Sequence, residues 1–244
     1  MKARTKLLSL LFAVASYPCG LEVASALTIY ERFALPASQD SWQHYSLILQ
    51  PDAWLIAPTP ADIGAPGGSP ASVAQIHSVL GSLGAAEIGG VCSSSTNGSG
   101  TIFPCGFRMD NPNLASLATD DFTSGTSGWR GTENRVVTSL SWASSGGNPG
   151  GVVAIQPFAA GTSLSTFLAS SAYLGNKDLA YGQTLSFDFE TISNPSAPPN
   201  APISYSYGVA ILSMEAVPEP STCALIIGGL GAVGWLMRRR RLPN

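Results

Sequence analysis

The chain has 244 residues, 45% of them hydrophobic and only 11% charged, with a net charge of −3. That is enough apolar material for one sizeable domain or two small ones, and too much for a disordered chain. Seven of the twelve basic residues sit near the two ends, so the interior Leu27–Val217 carries five basic against thirteen acidic residues, a net of −8. An acidic interior repels phosphate backbones, which argues against nucleic-acid binding.

Residues 1–26 place Lys2, Arg4 and Lys6 before the apolar run Leu7–Ala15, then close on Ala24-Ser25-Ala26. This is the layout of a secretory signal peptide cleaved before Leu27. The apolar run is too short for the roughly 20 residues that cross a bilayer. Next come segments that read as strands: "HYSLILQ" (44–50) and "AAEIGGVC" (85–92), with a helix over 73–83 between them. Ser72 and Gln75 form a capping box for that helix, Gly84 closes it, and Val73, Ile76, Leu80 and Leu83 share a face. His77 lies beside that stripe.

Cys92 and Cys105 are the two cysteines outside the end segments, and export places them in an oxidising compartment. A disulfide is expected, closing the Gly- and Ser-rich loop "SSSTNGSGTIFP". Further strands follow: 135–143, then 151–158 after the breaker cluster "SSGGNPGG", 184–192 and 204–212. In "TLSFDFETI", Leu185, Phe187 and Phe189 alternate with Ser186, Asp188 and Glu190, the pattern of a strand with one wet face. Many short strands and one short helix imply an all-β, jelly-roll-like β-sandwich over 27–214.

The tail reads "VPEPSTCALIIGGLGAVGWLMRRRRLPN". Ser221–Met237 is uncharged for 17 residues, the lower limit for a spanning helix, and the arginines after it should stay cytoplasmic. Pro218 and Pro220 disfavour helix before them, leaving an extended stretch outside the membrane. Pro218-Glu219-Pro220, a short glycine-bearing apolar helix and Arg238, Arg239, Arg240 and Arg241, in that order over 217–244, resemble the PEP-CTERM sorting signal. The resemblance implies export across the inner membrane of a Gram-negative bacterium, transient anchoring, and recognition by an exosortase-type membrane protease. Delivery to the cell surface or an exopolysaccharide matrix would follow.

A second resemblance lies in the interior. "GWRGTENRVVTSLSWASSGGNPGGVVAI" and "AYLGNKDLAYGQTLSFDFE" are similar to the N-terminal half of the laminin-B (laminin IV type A) domain. The earlier segments "WQHYSLILQPDAWLI", "ASVAQIHSVLGSLGAAEIGG" and "CGFRMDNPNL" resemble its C-terminal half. So 27–115 would be the family's second half and 121–214 its first. Either the sandwich is circularly permuted, joined through 115–121, or two truncated copies stand in tandem. Permutation is favoured, because half-sandwiches would expose bare edges. It predicts that strand 204–212 lies beside or near strand 44–50, and that "FRMDNPNL" is a closing strand.

No catalytic constellation stands out. His44 and His77 have no partner at metal-ligand spacing, and no Gly-x-Ser-x-Gly elbow supports a nucleophilic serine. Asp120-Asp121 could begin a structural Ca²⁺ site of the kind jelly-roll loops hold, though a solvated turn is the simpler reading; no other cofactor is expected. The expectation is therefore a non-catalytic surface or matrix protein. Trp54 and Trp129, next to loops, are the candidates to stack on the sugars of an exopolysaccharide. The alternative is an exported carbohydrate-active hydrolase using an acidic pair, Asp120/Asp121 or Asp188/Glu190.

Overall fold

The computed structural model describes residues 27–36, 38–59, 62–63, 67–96, 102–103, 105–155, 161–192 and 204–214. The expected signal peptide (1–26), the tail helix (221–237) and the sorting residues of 217–244 lie outside these. Among the described residues no helix is long and apolar enough to cross a membrane.

In chain order the first elements are strands β1 (Thr28–Phe33), β2 (Gln43–Ile48) and β3 (Leu55–Ile56), then helix α1 (Val73–Gly81). Next come β4 (Leu83–Thr96), β5 (Ile102–Phe103), β6 (Phe107–Leu114) and β7 (Ala118–Thr119). The second half supplies β8 (Arg130–Glu133), β9 (Val136–Thr138), β10 (Ser141–Gly147) and β11 (Gly150–Ile155). Strands β12 (Gly161–Leu168), β13 (Thr184–Thr191) and β14 (Ser204–Met214) complete it. The described strands form two antiparallel sheets. One has eight strands in the order β3-β1-β14-β4-β12-β8-β9 with β5 on β4; the other has six, β10-β11-β6-β13-β2 with β7 on β6.

The apolar alternation of both sheets meets in one core. Phe33, Phe107, Phe167, Phe187 and Phe189 are all buried in it, and their rings pack mostly edge to face. Helix α1 adds Ile76 and Leu80 from the face that its spacing marks as apolar, and Val79 beside them, while Val73 of that face is exposed. Its capping box forms as expected, with Ser72 and Gln75 satisfying each other's backbone amides. It stops two residues early, at Gly81, because Leu83 already belongs to β4.

Strands from the two halves of the sequence interleave. In the larger sheet β14 lies between β1 and β4; in the smaller, β6 lies between β11 and β13. The expected neighbourhood of 204–212 and 44–50 does not occur, since β14 and β2 belong to different sheets. The reason is burial: Gly208–Leu212 is buried on both faces, which suits a central strand, whereas β2 alternates exposed and buried and sits at an edge. The stretch 135–143 is likewise not one strand. Asn134 and Arg135, both at positive φ, turn the chain between Glu133 and Val136, so β8 and β9 form a hairpin that ends at Thr138.

One buried group sits uneasily. Glu31 shares the inward face of β1 with Ile29 and Phe33, and its Oε2 is buried without a hydrogen-bond partner. Burial pushes its carboxyl up from 4.5 to about 7. The folded chain then holds this proton more tightly than the unfolded one. Its contribution is fully present below about pH 4.5 and is lost as pH rises through about 7. Glu31→Gln should remove that slope: in urea titrations it should match the parent at pH 4 and exceed it at pH 8. The gain should be roughly 1–2 kcal/mol after allowance for partial solvent screening. Equal stability at pH 8 would show that Glu31 reaches water.

Candidate functional site

The polar chemistry of the molecule gathers on the outer face of the six-stranded sheet, where β6, β13 and β2 lie side by side. Register places Asp188 of β13 opposite His44 of β2 on one flank and Asp110 of β6 on the other. Between Ser186 and Asp188 the ladder slips, because β6 has one extra residue there. Pro112 has no amide to donate and Asn111 takes a left-handed φ of 49°, so β6 bulges. The bulge turns Asn111 onto Asp188: its Nδ2 donates to Oδ2 at 2.8 Å and also to the carbonyl of Asn148.

On the other side of Asp188, His44 Nδ1 donates to Oδ1 at 2.8 Å. The second ring nitrogen, Nε2, lies 3.3 Å from Ser46 Oγ, two residues along the same strand face. With Nδ1 carrying the proton toward the carboxylate, Nε2 is the acceptor for the serine hydroxyl. The side chain of His44 is 60% exposed while that of Asp188 is 8% exposed, so the imidazole stands in solvent on a buried anchor.

Asp110 is fully buried under the β10–β11 turn, where Asn148–Pro149 is cis. Its two oxygens accept from the amides of Asn111 and Asn148, each at 2.7 Å. Burial pushes its carboxyl above the usual range, the two amide bonds pull it back, and the neighbouring Asp188 and Asp121 charges push it up again. The turn comes this close because Gly147 has no side chain; a Cβ there would run into Asp110 Oδ2 and the carbonyl of Gly151. Further along the sheet, Arg108 donates to Glu190 at 2.9 Å.

Beside this network lies an open hollow of ≈ 380 Å³ lined by Asn111, Pro112, Asn113, Thr119, Asp120 and Asp121. Asn111 borders both. Asp120 accepts the indole N–H of Trp129 at 3.2 Å. Asp121 is exposed and accepts from the amide and hydroxyl of Thr123, which hold its carboxyl below the usual range. No three acidic, His or Cys side chains among the described residues group as a metal site would need.

Several sequence expectations need correction. Trp54 and Trp129 are 0% and 3% exposed, so neither face can stack on a sugar. Each indole N–H is spent internally, Trp54 on the carbonyl of Ile48 and Trp129 on Asp120, while the rings fill the core. Trp142, 41% exposed at the sheet edge and bonded to the carbonyl of Phe122, is an indole that does reach solvent. Asp188 and Glu190 do not form a wet face: they are 5% and 3% exposed. His44, Asn111 and Arg108 cover them from neighbouring strands. Neither carboxylate is open to a glycosidic oxygen.

Cys92 and Cys105 form the expected disulfide. His77 stacks on Tyr181 with ring centroids 4.2 Å apart and bonds Asp178, a surface pair away from the network. Sequence reasoning passed over the Ser46–His44–Asp188 alignment. Its only signal was His-x-Ser at strand spacing, since Asp188 lies 144 residues away.

Residues 216–241 match the PEP-CTERM protein-sorting motif, a stretch that contains Pro218, Glu219, Pro220 and Arg238–Arg241. No curated protein and no solved structure matches the chain. The motif marks an exported protein sorted by its C-terminal tail toward the cell surface, processed by exosortase-type machinery.

Proposed function

We propose that this tail delivers a polysaccharide-binding sandwich to the surface or extracellular matrix. The observation that carries the reading is the hollow beside the β6 bulge. Five of its six lining residues offer amide, hydroxyl or carboxylate groups, and Asn111, Asn113 and Thr119 stand on paired strands. Pre-placed donors and acceptors on rigid strands are what a hydroxyl-rich ligand needs, because they add orientation without an ordering cost. The exposed indole of Trp142, tied to the residue after Asp121, offers an aromatic face on the adjoining corner.

Thr119 is exposed on the rim, so Thr119→Arg should fill the hollow without touching the core. In a pull-down with the source organism's own extracellular polysaccharide, the variant should bind at least about tenfold more weakly, a change of roughly 1.4 kcal/mol, with unchanged thermal melting. Equal binding by variant and parent would remove the hollow from the account. Absence of binding by the parent would remove the polysaccharide.

The laminin-B-like reading and its circular permutation belong to the same proposal. The alternation of early and late strands within both sheets supports one shared core rather than two tandem copies. Expressing the two halves, 27–115 and 121–214, separately should then give chains that fold only when mixed. Two independently folding halves would contradict it.

A further inference from the structure

We propose that Ser46 is an activated nucleophile, with His44 as its general base, and that the edge of this sheet is an ester-cleaving site. Three observations converge. The order Ser46 Oγ–His44 Nε2 (3.3 Å), His44 Nδ1–Asp188 Oδ1 (2.8 Å) is the relay by which a serine loses its proton to an imidazole oriented by a carboxylate. Asp188 is itself fixed: its side chain is 8% exposed, and Asn111 holds the oxygen that His44 does not use. Asp188 and Asn111 are thus positioning residues that set the tautomer and plane of the ring, while Ser46 and His44 face solvent where a substrate can arrive.

The third observation concerns the oxyanion. Leu49 donates to Gln183 and accepts from Gly182, so in the β2–β13 register the odd-numbered residues of β2 point their backbone groups at β13. The even-numbered ones then point to the open side, as the carbonyl of Ile48 does in accepting from the indole of Trp54. The amide of Ser46 therefore faces the edge, and among the described residues no strand pairs with that side of β2. The nucleophile's own N–H is placed to meet a developing negative oxygen.

The step balances without any cofactor. Ser46 Oγ bonds to the acyl carbon as its proton passes to His44 Nε2; the alkoxide leaves with that proton; water, deprotonated by the same nitrogen, then releases the acid and restores the serine. The substrate class, O-acyl groups such as acetyl esters on a hydroxyl-rich polymer, rests on the polysaccharide reading of the neighbouring hollow. The reactivity of Ser46 does not.

The test uses the full chain in detergent with a fluorophosphonate probe and with p-nitrophenyl acetate, neither of which needs the polysaccharide. Peptide mass spectrometry should find the phosphonyl adduct on Ser46, absent in Ser46→Ala and retained in Ser78→Ala, an exposed helix serine. His44→Gln should lower kcat on the acetate ester by about 10²–10⁴-fold with its melting temperature kept. Asp188→Asn should lower kcat with little change in KM and with its melting temperature kept, so that the loss cannot be a smaller folded fraction. No adduct on Ser46 in the parent, or labelling undiminished in His44→Gln, overturns the proposal. The pull-down result stands or falls separately.

Discussion

Trp54→Ala is expected to cost about 3–5 kcal/mol of folding free energy, the range for removing a fully buried large aromatic side chain. Trp54 is 0% exposed and packs in the core cluster that also holds Ile76, Val79 and Leu80 of α1. Its indole N–H satisfies the carbonyl of Ile48 at the β2 edge, and its own carbonyl accepts from Ala71 just before the helix. Truncation therefore opens a cavity and removes one of the two donors to the Ile48 carbonyl, which the Gln50 amide also reaches. Trp129→Ala should fall in the same range, because the ring is wedged between Phe122 and Tyr173 with centroids 6.0 and 4.9 Å away. Chemical denaturation of parent and variants gives the numbers. Polysaccharide binding per folded molecule should be unchanged in Trp54→Ala; loss of binding with undiminished stability would return that indole to the surface.

Removing the disulfide is the second large effect. Cys92 lies on β4 of the eight-stranded sheet and Cys105 two residues before β6 of the six-stranded sheet, and both are fully buried. The bond closes a short loop, worth about 3 kcal/mol in the chain-entropy account, and it also ties the two sheets together at this end. Tyr205 works beside it: its hydroxyl reaches both the amide and carbonyl of Gly106. The paired variant Cys92→Ser, Cys105→Ser should therefore melt well below the parent under non-reducing conditions, and adding reductant to the unfolded parent should abolish the difference. Coincident melting curves would mean that the sheets hold this end without the bond.

Much of the fold could be read from local pattern. The alternating strand 184–191, the capping box at Ser72 and the turn within 144–151 all follow from residues within a few positions of one another. The hairpin at Asn134-Arg135 escaped because its turn carries arginine where a glycine would have announced it. The candidate site was harder. Ser46, Asp188 and Asn111 are ordinary polar residues of strand faces, and no spacing rule joins them.

What the sequence determined by itself is the chain's address, its all-β class and its cross-link, since each depends on a contiguous motif or on composition. Only the tertiary structure decided which polar residues are buried. Alternation shows that Asp188 and Glu190 share a face, but whether water or a neighbouring strand covers that face depends on strand order, which is a matter of long-range pairing. The same holds for Trp54 and Trp129: closeness to a loop in sequence says nothing about what packs over a ring. Ser46, His44 and Asp188 meet because β2 pairs with β13 in one register, and a slip of β2 by one residue would turn His44 and Ser46 to the face opposite Asp188.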